Sequence, residues 1–206
     1  MVDNLVYFLD GKTYINLTNA CTNRCTFCVR DIKEDVVGAK LWLENDNVKA
    51  SDVIEQLEKI RENIGKEVVF CGYGEPLLRL DTLKEVSRYI KDNFSDIKIR
   101  INTNGHASAV FNKDVVSELV GLIDSVSISL NAENEEKYNK IARPGIEDAY
   151  LYMQNFARRC VEAGIDTTLS IVSGYPQCDV DVEKCEKICA SIGAKFRNRE
   201  WIEKGY

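Results

Sequence analysis

Short segments with the alternation of β-strands take turns with segments of helical spacing from residue 13 onward, and this order constrains the fold more than any other feature. Six runs are strand candidates: 13–18, 67–71, 97–102, 125–130, 166–172 and 194–199. Between the first two, Ile54, Leu57 and Ile60 recur at helical spacing. Strand-helix alternation predicts an α/β protein with a parallel sheet and right-handed crossovers. Six units are fewer than the eight of a complete barrel.

Length and composition are those of one globular domain. The chain has 206 residues, of which 45% are hydrophobic and 29% charged, and neither a repeat nor a linker divides it. We expect one domain over residues 1–206, with residues 29–49 as an irregular insertion. No apolar run approaches the ~20 residues of a membrane span and the start does not resemble a signal peptide, which predicts a cytoplasmic protein without membrane contact. A formal net charge of -6 argues against nucleic-acid binding.

Three cysteines, Cys21, Cys25 and Cys28, follow the first predicted strand at the spacing of metal ligands. A four-iron, four-sulfur cluster held by only three thiolates keeps one iron open to a small molecule, whereas closed electron-transfer clusters normally take four cysteines. The same spacing also fits a zinc site completed by a fourth ligand. Because we expect a reducing cytosol, metal ligands or buried thiols are favoured over disulfides.

With Phe27 before the last cysteine, this run resembles the C-x3-C-x2-C signature of the radical S-adenosylmethionine (radical SAM) superfamily. The resemblance implies a partial (β/α)6 TIM-like barrel and a [4Fe-4S] cluster on the three cysteines, with S-adenosylmethionine (SAM) chelated to the open iron. It also implies reductive cleavage of SAM to a 5'-deoxyadenosyl radical, with a flavodoxin- or ferredoxin-type protein as electron donor. Phe27 would lie near the adenine. In such enzymes the protein binds, orients and shields the cofactor.

A second motif, residues 69–76, ends the second predicted strand with Gly72, Gly74 and Glu75. Glycines after a strand let the backbone turn tightly and approach a ligand, and a carboxylate beyond them can pair with an ammonium group. The segment resembles the Gly-Gly-Glu-Pro motif of the superfamily, which holds the SAM amino group. Tyr73 stands where that motif has its first glycine.

Weaker motifs of the superfamily match later strand ends. Asn102 and Asn104 belong to a turn that resembles its Thr-Asn-Gly motif, and Arg143 matches an arginine that often pairs with the SAM carboxylate. The remaining matches are further expected cofactor contacts on the fourth and fifth predicted strands: Ser127, Ser129, Asn131, Ser170 and Val172. Ordinary turn, strand and surface roles also fit each of these residues.

Alternation along the later strands predicts a polar barrel interior. In the third strand Ile99 and Ile101 share one face, and Arg100 and Asn102 share the other. Because the apolar face must pack against helices, the polar face is expected to line a wet or ligand-filled lumen. The side chains that we expect to contact an anionic substrate there are Arg100, Arg197, Arg199 and Cys71. Two alternatives are that nearby carboxylates neutralise the arginines, or that the last strand turns its arginines to solvent.

The remaining cysteines and the single histidine have simpler readings. Cys160, Cys185 and Cys189 fall in step with apolar residues on helical faces, where buried cysteine behaves as a small hydrophobe. A second cluster that uses Cys178, Cys185 and Cys189 is the less favoured alternative. His106 is either a proton donor near the site or an ordinary loop residue.

The sequence therefore predicts a radical SAM enzyme, and residues 28–31 and 70–76 most resemble the small TatD-associated radical SAM proteins. A small-molecule substrate is favoured over a protein. One alternative is a glycyl-radical activase that acts on a partner protein, although activases often have a polar residue where this chain has Val29. The other alternative is a non-catalytic iron-sulfur or zinc module, which would leave the motif at residues 74–76 unexplained.

Overall fold

The computed structural model describes residues 4–33, 35–36 and 38–202. Its strands and α-helices are, in chain order, β1 (Val6–Leu9), β2 (Lys12–Ile15), β3 (Asp35–Val36), β4 (Ala39–Lys40), α1 (Ala50–Lys59), β5 (Glu67–Phe70), α2 (Leu80–Asn93), β6 (Lys98–Thr103), α3 (Ala107–Phe111), α4 (Val116–Leu119), β7 (Ser125–Ser129), α5 (Glu135–Ala142), α6 (Ala149–Glu162), β8 (Asp166–Ser173), α7 (Val182–Ile192) and β9 (Lys195–Glu200). Short 3-10 turns lie at Val29–Asp31, Arg61–Asn63 and Pro76–Arg79.

One sheet organises the fold. Its strand order is β1-β2-β5-β6-β7-β8-β9, and β3 pairs with β4 in a separate hairpin. All neighbours from β2 to β9 are parallel, so each connection is a crossover that advances one strand in the same direction. The predicted α/β partial barrel is thus confirmed, and the six predicted strands match β2 and β5 to β9 with ends that differ by at most three residues.

Strand β1 is the element of the sheet that the periodicity analysis did not predict. It has four residues and runs antiparallel to β2 through a turn at Asp10 and Gly11. Both turn residues have positive φ, 50° and 71°, which suits a two-residue hairpin turn. An Asp-Gly pair is the usual short-range signal for such a hairpin, so the signal was present in the sequence.

The outer face of the sheet forms the main core with the helices. Ile99 and Ile101 of β6 and Val126 and Ile128 of β7 are all buried in it. Their alternation leaves the other side chains of these strands on the inner face, the lumen of the partial barrel. The predicted split between an apolar face toward the helices and a polar face toward the lumen therefore holds for β6 and β7.

The lumen has two unlike halves. In the half formed by β1, β2 and β5, which we call the closed half, the inner side chains Tyr7, Tyr14 and Val69 pack with Tyr73 in a second apolar cluster. Insertion residues Val36 and Leu41 cover this cluster, and both are buried. The half formed by β6 to β9, the open half, carries the polar inner side chains. The expectation of a polar lumen is consequently wrong for the closed half, because its strands present tyrosines there.

The expected insertion at residues 29–49 includes the first 3-10 turn and the β3–β4 hairpin. Polar contacts tie it to the barrel: Asn16 Nδ2 donates to the Leu41 carbonyl at 2.7 Å, and the Tyr73 hydroxyl donates to the Lys33 carbonyl at 2.7 Å. The insertion therefore acts as a cover over the closed half. Among the described helices, none combines the length and apolarity needed to cross a membrane.

Candidate active site

The loop that carries Cys21, Cys25 and Cys28 follows β2 and is held by backbone hydrogen bonds on two sides. On the α5 side, Arg24 N donates to the Ala142 carbonyl at 3.0 Å and Thr26 N to the Ile141 carbonyl at 2.9 Å. On the β5 side, Glu75 N donates to the Ala20 carbonyl at 2.7 Å. The backbone of the cysteine loop is thus fixed between the end of α5 and the Gly74-Glu75 motif.

The three thiols are free and partly buried. Burial raises the pKa of Cys21 to about 11 and of Cys25 to about 12, and the pKa of Cys28 is raised for the same reason. The neighbouring thiols raise the pKa of Cys25 further, so the negative form of one sulfur opposes that of the others. Such a donor set becomes fully deprotonated when a cationic centre offsets the repulsion, and it fits a metal cluster in this respect.

Hydrogen-bond donors also reach the first of these sulfurs. The backbone N–H of Asn23 lies 3.4 Å from Cys21 Sγ, and Asn104 Nδ2 lies 3.7 Å from it. Within the described part of the chain, no group of three or more His, Cys, Asp or Glu side chains is arranged to hold a single metal ion.

Gly72 and Gly74 are required by close packing of the loop after β5 against the segment that leads to the cysteines. A Cβ on Gly74 would come within 2.3 Å of the Thr18 carbonyl oxygen and 2.5 Å of the Ala20 carbonyl oxygen. A Cβ on Gly72 would come within 2.0 Å of Asn16 Oδ1. These glycines bring protein backbone close to protein, and the approach of this backbone to a ligand stays a prediction.

Glu75 is buried and joins the loop after β5 to the end of β6. Its Oε1 accepts from Thr103 Oγ1 at 2.7 Å and from Leu77 N at 3.2 Å, and its Oε2 accepts from Asn104 N at 2.7 Å. Burial raises the pKa of this carboxyl to about 7, although the three donors oppose the shift. Oε2 keeps acceptor capacity for one more donor, while the rest of the carboxylate holds the two loops together.

A buried polar network beneath the cysteine loop includes His106, for which the sequence alone allows either a proton donor or an ordinary loop residue. Asn104 Nδ2 donates to Thr22 Oγ1 at 2.8 Å, and Thr22 Oγ1 shares a hydrogen bond with His106 Nδ1 at 3.0 Å. His106 Nε2 lies 2.9 Å from the Tyr138 hydroxyl. Burial lowers the pKa of His106 to about 4, so the ring is neutral at pH 7 and supports the loop. Sequence reasoning missed Thr22 and Tyr138, which only the fold brings together.

An aromatic group surrounds Phe27 at the rim of the open half. The Phe27 ring lies edge-on to Tyr175, with centroids 5.5 Å apart, and 6.4 Å from Trp201. Tyr175 also donates its hydroxyl proton to the Thr26 carbonyl at 3.0 Å. Tyr175 lies two residues after β8 and Trp201 directly follows β9, so aromatic residues just beyond a strand are the signal in the sequence that could locate them.

The other expected cofactor positions lie at or near the carboxyl ends of β6 to β8, except for Arg143. Asn131 is buried, with φ at 59°, and its backbone N–H donates to the Ser170 carbonyl at 3.2 Å. Ser127, Ser129 and Val172 are partly exposed on the inner face. Arg143 ends α5 and lines a cavity of about 740 Å³ on the α5 side of the cysteine loop, together with Cys25.

The expected substrate residues separate into two groups. Cys71 and Arg199 are partly buried, and Arg100 has a side chain only 14% exposed; both arginines act electrostatically on the Cys71 thiol. Arg197 lies opposite Ser170 in the strand register but is exposed at the sheet edge. The structure therefore brings three of the four residues together. Cys160, Cys185 and Cys189 are buried in the main core, as expected for small hydrophobes.

Comparison with known proteins identifies the family. The sequence model described as the radical SAM superfamily matches residues 15–188. The chain belongs to the radical SAM superfamily. Among curated relatives, the GTP 3',8-cyclase of Clostridium perfringens (strain SM101 / Type A) is 28% identical over 162 residues, which are 77% of this chain and 45% of that protein. The chain thus spans about half the length of that relative.

Solved radical SAM structures share the fold. Streptococcus suis SuiB, bound to precursor peptide SuiA, has a TM-score of 0.68 and 17% identity over 92% of this chain and 39% of SuiB. TsrM from Kitasatospora setae, with cobalamin and a [4Fe-4S] cluster bound, has a TM-score of 0.58 and 15% identity over 87% of this chain and 35% of TsrM. SuiB has also been solved bound to SAM. The predicted fold and the membership of the radical SAM superfamily are thus confirmed.

Proposed function

We propose that this radical SAM protein holds one four-iron, four-sulfur cluster on Cys21, Cys25 and Cys28 and cleaves SAM reductively for radical chemistry in the barrel lumen. The observation that carries the proposal is the placement of three free thiols in one loop. The segment that leads into this loop accepts a backbone hydrogen bond at the Ala20 carbonyl from Glu75 of the second motif. Three thiolates leave a coordination position for a small molecule. When bound, the cluster and SAM supply one-electron cleavage of the sulfonium and a carbon radical that abstracts hydrogen.

The residues around the loop are assigned to binding and shielding. Glu75 accepts a hydrogen bond from the SAM amino group with the remaining capacity of Oε2, since Thr103, Leu77 and Asn104 use the rest of the carboxylate. An ammonium group there would favour the ionised form, against the burial that raises its pKa to about 7. Gly72 and Gly74 keep this carboxylate next to the cysteine loop by close packing.

A second set of residues is assigned to the other parts of SAM. Phe27 contacts the adenine at the aromatic rim, and Arg143 pairs with the carboxylate from its cavity beside Cys25. Further contacts are assigned to polar or apolar side chains at strand ends: Asn102, Asn104, Ser127, Ser129, Asn131, Ser170 and Val172. Asn131 supports its place in this set, because its Oδ1 is buried without a hydrogen-bond partner among the described residues.

Finer parts of the proposal concern substrate and setting. Residues 28–31 and 70–76 support membership of the TatD-associated group, to which the relatives reported above do not specifically belong. We assign a small, anionic molecule as the substrate, because insertion residues fill the closed half of the lumen. We further propose a cytoplasmic protein that receives electrons from a flavodoxin- or ferredoxin-type donor.

The decisive experiment is anaerobic reconstitution followed by iron analysis and a SAM cleavage assay. We expect about four irons per chain and release of methionine and 5'-deoxyadenosine under a chemical reductant. The triple variant C21A/C25A/C28A should lose both properties, whereas C185A/C189A, which changes two core cysteines, should keep them. About eight irons per chain, or iron retained by the triple variant, would contradict the single cluster, and iron without SAM cleavage would favour a non-catalytic module.

The assigned role of Glu75 has its own test. Glu75→Gln should weaken SAM binding roughly tenfold or more, because a charge-assisted hydrogen bond contributes about 1.5 to 3 kcal/mol. Equilibrium dialysis of the reconstituted protein measures this, and iron content serves as the control. Equal SAM binding by wild type and variant would assign Glu75 to loop support alone. Hydrogen abstraction from a glycine of a partner protein would instead support an activase.

A further inference from the structure

Arg30 places a charged side chain along the cysteine loop. It lies two residues after Cys28, within the 3-10 turn Val29–Asp31, and its side chain is only 14% exposed. Its Nη1 donates to the Asn19 carbonyl at 3.4 Å, two residues before Cys21. The side chain therefore reaches back from the end of the loop to its beginning, and its guanidinium group lies beside the segment that carries the three thiols.

The two described partners of the Arg30 side chain balance its charge only in part. Asp31 Oδ1 lies 3.8 Å from Arg30 Nε, but the Asp31 side chain is 66% exposed, so solvent screens this ion pair. The Asn19 carbonyl is neutral and accepts from Nη1. A charge that is largely removed from water is costly unless an opposite charge lies close to it. Three thiolates in the neighbouring loop are the negative charges that a bound cluster would bring there.

The charge of Arg30 acts on the whole ligand set. Burial raises the pKa of all three thiols of the loop, and the Arg30 guanidinium opposes that rise at each of them. The backbone N–H of Arg30 also donates to Cys28 Sγ. Carboxylates act in the opposite sense, because Glu75 raises the pKa of Cys21 and Asp31 raises the pKa of Cys28. The geometry and the electrostatics therefore place Arg30 next to the thiolate site.

A fixed cation beside thiolate ligands affects how readily a cluster takes up an electron. Net charge, hydrogen bonds to the sulfurs and solvent exposure set the reduction potential of an iron-sulfur cluster. Three thiolates make the site negative, and the electron that reduces a cluster adds further negative charge. A nearby cation stabilises the more negative state, and in a partly buried site this interaction is stronger than in bulk water. The position of Arg30 therefore favours the reduced state.

We propose that Arg30 tunes the cysteine site for electron uptake: its guanidinium group stabilises the reduced, more negative state and so raises the reduction potential. The inference rests on the proposed function, because the three thiolates must hold a cluster, and it deepens that function by naming a residue that controls its first electron transfer. Asp31 weakens the effect, since its carboxylate lies beside the same guanidinium group. Neither residue belongs to the cysteine motif or to the motif at residues 72–75.

The test is a mediated redox titration of reconstituted protein without SAM, in which electron paramagnetic resonance counts the reduced clusters. R30Q removes the charge and keeps an amide N–H for the Asn19 carbonyl. At a fixed potential its ratio of reduced to oxidised cluster should fall about tenfold, which is 59 mV for a one-electron couple. R30K keeps the charge, and R24Q removes an exposed arginine of the same loop. Both should stay within about twofold of wild type, because solvent and salt screen exposed charges.

The inference is overturned if R30Q keeps the wild-type ratio, or if R30K or R24Q lowers the ratio as far as R30Q does. A residue that only supports the loop would change iron content or the unfolding midpoint and leave the ratio unchanged, so both are measured as controls. If R30Q does not retain iron, D31N decides. Removal of the carboxylate beside Arg30 should raise the ratio about twofold or more, and an unchanged or lower ratio overturns the inference.

SAM cleavage, measured on the same samples, separates the two proposals. If wild type cleaves SAM and R30Q keeps the wild-type ratio of reduced to oxidised cluster, the role of Arg30 fails and the proposed function stands. If R30Q shows the lower ratio but wild type does not cleave SAM, the role of Arg30 stands and the proposed function fails.

Discussion

The two halves of the lumen are built from the same parallel sheet and differ in what their inner side chains do. In the closed half, Tyr7 and Tyr14 stack with centroids 5.2 Å apart under the insertion. In the open half, serines and arginines line the wall and stay partly exposed. One half therefore contributes packing energy, whereas the other keeps polar side chains, of which some atoms, such as Asn102 Oδ1, have no hydrogen-bond partner among the described residues.

The largest difference in the free energy of unfolding is expected between two variants that each lack one inner side chain, one from the closed half and one from the open half. Tyr14→Ala should lower the free energy of unfolding by about 4 kcal/mol, because deleting a buried aromatic ring leaves a cavity. Ser127→Ala should change it by less than about 0.5 kcal/mol. Urea unfolding of both variants measures the effect, and similar losses at the two positions would break the comparison.

The next largest loss of stability is expected at Gly74, which is closely packed at the edge of the closed half. Gly74→Ala should cost about 3 kcal/mol, because the added methyl group meets two backbone carbonyl oxygens that cannot move independently. Gly145→Ala is the matched control, since its added carbon would lie 3.5 Å from the nearest atom, the Thr22 oxygen. Thermal unfolding of both proteins is the measurement, and equal midpoints would show that the cysteine loop gives way easily.

The network at His106 predicts a pH effect at the boundary of the two halves. Because its pKa is lowered to about 4, the stability that the neutral ring contributes is fully present above its ordinary pKa near 6.5 and is lost as the pH falls through 4. Between pH 7 and pH 5 we expect wild type to lose about 2 kcal/mol more than His106→Gln.

His106 is the only histidine in the chain, so the difference between the two proteins isolates its titration. Glu75, with a pKa raised to about 7, acts in the opposite sense, and its contribution is lost as the pH rises. Both proteins contain Glu75, so it cancels. Urea unfolding at several pH values measures this difference. If the free energies of unfolding of wild type and His106→Gln depend on pH in the same way, His106 does not contribute this pH effect.

The smallest loss of stability is expected for a substitution at the aromatic rim of the open half. Trp201→Leu should cost about 1 kcal/mol, the usual value of an aromatic pair beyond its buried area, because its ring lies edge-on to Tyr175 at 4.8 Å. Trp42→Leu is the control, since Trp42 is 59% exposed. Near-ultraviolet circular dichroism and thermal unfolding follow both changes. If Trp201→Leu lowers the free energy of unfolding as much as Tyr14→Ala does, the aromatic residues at the rim stabilise the fold as strongly as core residues.

Local pattern was sufficient for the predicted strands and for the inner and outer faces of β6 and β7, because alternation and strand spacing are local properties. The cysteine spacing and the motif at residues 74–76 were likewise readable from the chain. The contents of the closed half were not, since the insertion meets Tyr7 and Tyr14 only after the barrel has curled. The same holds for the link from Thr22 through His106 to Tyr138, which joins residues far apart in sequence.

Strand β9 has a consequence for self-association. It lies at one edge of the described sheet, and three cations alternate along it: Lys195, Arg197 and Arg199. A charged edge strand repels the matching edge of a second molecule and so opposes strand addition and aggregation. At the opposite edge, β1 instead exposes Phe8. If molecules of this chain associate through their sheets, contact is therefore expected at β1, with little dependence on salt.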